Sequence, residues 1–107
     1  MRPSSTARAI TARLDDRAGL LTVETGDGSW QASISRRHVE LLRLVAAAGP
    51  SGIAAAALST AVYGDADHVV TVRAEMSRLR RAVGALVEPH PYRLAGGVRL
   101  VGREPGT

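Results

Sequence analysis

Between Asp67 and Gly84 four arginines, Arg73, Arg78, Arg80 and Arg81, stand within nine residues, with Ser77 among them and Glu75 as the one acid. Guanidinium groups at that density repel one another unless an anion lies near. Their planar forks match phosphate oxygens and the O6/N7 edge of guanine. The plain alternative is a solvated helix face, which needs no ligand. Other reactive side chains offer less. His38, His68 and His90 are scattered without metal-ligand spacing, and Asp15-Asp16 reads as a turn pair. Ser33 and Ser35 have no base beside them in the sequence. Gly26-Asp27-Gly28 and Gly96-Gly97 lack the Lys-Ser/Thr that follows a phosphate-binding loop. With no cysteine, disulfides, thiolate catalysis and cysteine-ligated metals are excluded. No cofactor and no enzymatic activity are expected.

The arginines belong to the outer face of an expected helix, capped by Asp67 and closed by Gly84. Val69, Val72, Met76, Leu79 and Val83 recur at three- and four-residue spacing and form its buried stripe. Arg73, Ser77, Arg80 and Arg81 fall opposite, flanked by Ala74 and Arg78. Two helices are expected before it. The first follows Ser35 as N-cap, carries Val39, Leu41, Leu42, Val45 and Ala46 inward, and stops at Gly49-Pro50-Ser51-Gly52. The second, Ala54–Tyr63, is alanine-rich and short, so packing must hold it. The turn Gly64-Asp65-Ala66-Asp67 joins it to the arginine-bearing helix.

Strands flank the helices. Ile10, Ala12 and Leu14, then Leu21 and Val23, then Trp30, Ala32 and Ile34 alternate with polar residues, which predicts three antiparallel strands with one buried face. Asp15-Asp16-Arg17-Ala18-Gly19 and Gly26-Asp27-Gly28 supply the turns. Ile53 is expected to form a one-residue bridge to the sheet. After Gly84, the segments Leu86–Glu88, Tyr92–Leu94 and Val98–Leu100 read as a hairpin or a three-stranded meander. The fold class is therefore α+β: one domain over residues 9–101, with flexible segments at 1–8 and 102–107.

Composition limits the partners. The chain of 107 residues is 45% hydrophobic, and no apolar run approaches the ~20 residues that a bilayer requires, so no membrane association is expected. Met1–Thr6 has no apolar core of a secretory signal, and the lack of cysteine suits a reducing, cytoplasmic location. Residues 1–69 hold seven arginines and seven acids, whereas residues 70–103 hold seven arginines and two acids. A basic patch confined to one third of a domain is the footprint of a polyanion binder. All 14 basic residues are arginine and alanine is abundant, which a GC-rich genome also produces. With 3% aromatic residues there is little to stack on single-stranded RNA bases.

The run Thr71-Val72 followed by Met76-Ser77-Arg78-Leu79-Arg80-Arg81 and Gly84 resembles the recognition helix of OmpR/PhoB-type winged helix-turn-helix domains. Ala61-Val62-Tyr63-Gly64-Asp65 looks like that family's aromatic-Gly-Asp turn, and Pro91-Tyr92-Arg93-Leu94 like the Gly-Tyr-Arg-Leu that ends its wing. The similarity covers about Ala9 to Leu94. Within it, Val70-Thr71-Val72-Arg73-Ala74-Glu75 looks closest to C-terminal domains of actinobacterial GAF-domain regulators. The resemblance implies a winged helix, with an N-terminal antiparallel sheet, three helices and a C-terminal β-hairpin wing. It also implies sequence-specific binding of double-stranded DNA, as the reading domain of a bacterial transcription regulator, with residues 67–83 in the major groove. Carried over by position, Thr71, Arg73, Ala74, Ser77 and Arg78 lie near bases or phosphates, and Arg80 and Arg81 hold the backbone. Gly64, Asp65, Ala66 and Asp67 form a turn facing RNA polymerase.

Several positions depart from the family pattern. Val70 stands where many members carry arginine, Arg73 replaces a common Asp, and Glu75 a frequent His. Glu88 falls where a wing arginine reaches DNA, leaving Arg93 or Arg99 as substitutes. Ala54 stands where Ser or Thr normally caps the second helix. No receiver domain lies within these residues, and the Arg/Ser-rich start and Gly/Pro-rich end would suit linkers to a sensory domain in a longer chain. Dimers on DNA are common for this shape, although no heptad seam is evident. The alternative is a winged helix that serves protein–protein interaction without reading DNA, which acids at Glu75 and Glu88 would favour.

Overall fold

The computed structural model describes residues 9–102. Three helices pack on a four-stranded mixed sheet and a two-stranded hairpin, an α+β arrangement. Strands β1 (Ile10–Asp15), β2 (Leu20–Thr25) and β3 (Gly28–Ser33) form an antiparallel meander. The alternation places Ala12, Leu14, Leu21 and Val23 in the core and leaves Arg13 and Glu24 outside, where they pair at 3.3 Å. Asp15 sets the first turn, its carboxylate accepting from the backbone N–H groups of Arg17 and Ala18. Trp30, expected inward, faces the side of its register partner Val23 but remains 40% exposed. β3 is an edge strand, so less of the molecule covers its inner face.

α1 (Arg36–Ala48) begins as expected: the Ser35 hydroxyl accepts from the His38 N–H at 3.2 Å. Val39, Leu41, Leu42 and Val45 are buried, and a 3-10 turn over Gly49–Ser51 ends the helix. Ile53 does form a one-residue bridge, but to Tyr92 and not to the sheet; the two residues exchange N–H···O bonds of 2.9 and 3.0 Å. Gly52 makes this approach feasible. It sits at φ 76°, and a Cβ there would lie 2.7 Å from Pro91 Cγ and 3.0 Å from the Tyr92 carbonyl oxygen.

α2 (Ala55–Tyr63) buries only Leu58 and Ser59, and its N-cap Ala54 has extended backbone (φ −78°, ψ 158°) with no side-chain acceptor. That conformation suits a capping serine. Ala54→Ser is expected to raise the unfolding free energy by about 1 kcal/mol, within the usual range for such caps. The measurement is a urea transition; an unchanged midpoint would mean that water already satisfies the free N–H groups.

α3 (Val69–Val83) starts one residue later than the Asp67 cap predicted. Asp65 takes the capping role instead: its carboxylate accepts from the Asp67 N–H at 2.8 Å and opens a 3-10 turn, Ala66–His68. Both aspartates have the chemistry of a cap, but Asp65 closes an Asx-type turn on a backbone already bent by Gly64. Val72, Met76, Leu79 and Val83 enter the core beside Leu41, Leu42, Val45 and Leu58, while Val69 is only partly buried. Gly84, at φ 64°, closes the helix.

The C-terminal segment corrects the meander. β4 (Val87–Glu88) and β5 (Arg93–Leu94) pair as a hairpin, but β6 (Val98–Gly102) leaves them and joins β1 in parallel, Ile10 opposite Val98 and Leu14 opposite Gly102. The larger sheet thus has the order β3-β2-β1-β6. Val98 and Leu100 pack on the core, in register with Ile10 and Ala12. Alternation states which face of a strand is apolar but not which strand it joins, and this one covers the otherwise open edge of β1. Gly102, expected in the tail, ends β6. The expected flexible segments at 1–8 and 103–107 lie outside the described residues.

Candidate nucleic-acid interface

One face of α3 is open along its length. Val70, Ala74, Ser77 and Arg81 are spaced by four, three and four residues, so they form a single exposed row opposite the buried stripe. Arg73 flanks this row on one side; Thr71 and Arg78 flank it on the other, and all three are exposed. The middle of the row is made of short side chains, so the helix backbone lies close to the surface there, with guanidinium groups on both flanks.

The acid on this helix is turned away from that face. Glu75 lies 2.6 Å from His38 Nε2 of α1 and 3.2 Å from Arg78 Nη1. Its side chain is 25% exposed, and it ties α1 to α3. Glu75 is therefore held within the fold, between the His38 ring and the Arg78 guanidinium. Among the described residues, Arg73 and Arg81 make no ion pair or hydrogen bond through their side chains, so their positive charge is uncompensated. Arg78 shares its charge with Glu75.

Arg80 differs from its neighbours. It is half-buried, and its Nε–H donates to the Val87 carbonyl at 3.0 Å, fastening the start of the hairpin to α3. Together with the Ile53–Tyr92 bridge and the buried Leu86 and Val87, this bond holds the hairpin against the helices. In the hairpin, Arg93 Nε donates to Glu88 at 3.0 Å, so the arginine expected to substitute in the wing is paired with the acid beside it. Arg99 is not on the hairpin at all. It lies on β6 opposite Thr11, on the sheet face turned away from the core, and does not join the α3 row. The cause is the strand exchange already described.

The turn between α2 and α3 is exposed yet firmly held. Gly64, at φ 91°, caps α2, and Gly64, Asp65, Ala66 and Asp67 all face solvent. Beneath them the buried Ser59 hydroxyl donates to the Asp65 carbonyl at 2.6 Å and accepts from the His68 N–H at 3.0 Å. The His68 ring stacks on Tyr63 with centroids 4.5 Å apart, and the Arg37 guanidinium lies 4.8 Å from the Tyr63 centroid. The Asp67 backbone N–H, followed by His68, holds the Asp65 carboxyl below its ordinary value of 3.8. Ser59, His68, Arg37 and His38 each meet a partner on another element, so these contacts are not legible in the sequence.

The three histidines are dispersed: His38 on α1, His68 in the turn, and His90 in the hairpin loop. Among the described residues, no group of three or more His, Cys, Asp or Glu is placed to hold a metal ion, and no helix is long and apolar enough to cross a membrane. No family model, curated protein or solved structure matches the chain.

Proposed function

We propose that this chain is a winged helix-turn-helix domain of the OmpR/PhoB type. In this reading it binds double-stranded DNA as the reading head of a bacterial transcription regulator in the cytoplasm, and it is not an enzyme. The observation that carries the reading is the α3 face: an exposed row of short side chains flanked by arginines, with its one acid drawn toward α1. α2, the Gly64–Asp67 turn and α3 are the helix-turn-helix, and the β4–β5 hairpin is the wing.

Recognition divides as duplex readers generally divide it: phosphate contacts position the protein and base edges specify the site. Thr71, Arg73 and Ala74 lie on the first two turns of α3, the part that enters a major groove most deeply in helix-turn-helix docking, and Ser77 continues the same face one turn on. Arg78 and Arg81 reach the phosphates, while Arg80 contributes chiefly by holding the wing to α3. The wing has weaker means of inserting into a minor groove, since Arg93 is occupied by Glu88 and Arg99 is elsewhere. The exposed Gly64–Asp67 turn is free to meet RNA polymerase, and a sensory region of a longer chain would supply the signal. The protein-interaction alternative drew on Glu75 and Glu88 as acids facing the partner; both are paired within the chain.

The test is a fluorescence-anisotropy titration against a randomised duplex pool at two salt concentrations. The affinity is expected to fall with salt at a log–log slope near −0.9 for each phosphate neutralised. A flat response, or no binding at low salt, would overturn the reading.

A further inference from the structure

Val70 is 80% exposed, and Trp30 is the other large hydrophobic side chain left open among the described residues. An isolated apolar residue on a surface is ordinary. Val70, however, begins the row that continues through Ala74, Ser77 and Arg81, and Arg73 stands one helical turn away. Its two methyl groups branch at Cβ, so they stay close to the helix and cannot fold back over the backbone as a longer side chain does. It offers no donor or acceptor, which makes it useless toward phosphate.

In a major groove, one of the four bases presents hydrocarbon: thymine, through its 5-methyl group. We propose that Val70 reads that methyl, making it a specificity-determining residue for a thymine at one position of the bound site. The inference rests on the DNA-reading function proposed above and adds to it a particular base and a particular chemical group. Val70 lies in the first turn of α3, and the N-terminal residues of a recognition helix are the ones that meet base edges. Arg73 beside it supplies a polar contact to a neighbouring base or phosphate, so the pair combines apolar and hydrogen-bonding readout within one turn. Substitution of Val70 touches no core packing, because the side chain is outside the cluster formed by Val72, Met76 and Leu79.

The experiment uses the full 107-residue chain. Duplexes are selected from a random pool, and each thymine of the selected site is replaced in turn by deoxyuridine, which removes the methyl and nothing else. At one position the wild-type protein is expected to lose about fourfold in affinity, the factor that burial of one methyl carries. Val70→Ala is expected to bind the thymine and uracil duplexes alike. Arg81→Ala is expected to bind both more weakly and still distinguish them. A wild-type protein indifferent to uracil at every position overturns the inference and leaves the DNA-reading function standing. Discrimination that persists in Val70→Ala assigns the methyl contact to another side chain and also overturns it. A protein that binds no duplex overturns both proposals together.

Discussion

Arg73→Ala is expected to abolish preference at one base pair, at a cost of about 1–3 kcal/mol on the selected duplex and little on duplexes already mismatched there. Arg81→Ala is expected to weaken every duplex by a similar factor and to reduce the salt slope by about one phosphate's share. The difference follows from position. Both side chains are exposed and, among the described residues, unpaired, so neither substitution breaks an internal ion pair or hydrogen bond. Arg73 lies in the second turn of α3, within reach of base edges, whereas Arg81 lies in the last turn, where a straight helix leaves a curving groove and meets its walls. The check is a set of affinities for the selected site and its single-base variants, measured with both proteins at one salt concentration. Equal losses across all variants for both proteins would remove the distinction between reading and anchoring on this helix.

The exposed face of α3 could be read from the sequence because its two requirements are local. A buried stripe at Val72, Met76, Leu79 and Val83 decides which face of α3 is left outside, and Arg73, Ser77 and Arg81 then follow from helical geometry alone. The three N-terminal strands were legible for the same reason: each shows its own alternation, and the turns at Asp15 and Gly28 bring neighbours together. What escaped depends on partners far along the chain. Nothing in Val98-Arg99-Leu100 distinguishes a third hairpin strand from a parallel partner of β1, since the same face is apolar in both. Arg80 looks like its neighbours until the Val87 carbonyl is in place, and Glu75 looks like an exposed acid until His38 is opposite it. The shift of the cap from Asp67 to Asp65 is of another kind. Two aspartates two residues apart both fit the rule, and the left-handed Gly64 decides between them.

Leu58→Ala is expected to lower the unfolding free energy by about 2–5 kcal/mol, a large share of the total for a domain of this size. Leu58 is fully buried and is the large apolar side chain through which the alanine-rich α2 enters the core; Val62 and Tyr63 are only partly covered. A nine-residue helix without a side-chain cap has little stability of its own, so losing this anchor loosens the whole element. The consequence extends to the arginine row. Ser59, the next residue, holds both the Asp65 carbonyl and the His68 N–H, and through them the entry to α3. Urea unfolding measures the stability, with Thr60→Ala as an exposed neighbour expected to change it little. A loss for Leu58→Ala no larger than that control's would mean that α2 is carried by the Tyr63–His68 stack and the Ser59 bonds. The aim of α3 would then be set by the turn and not by the core.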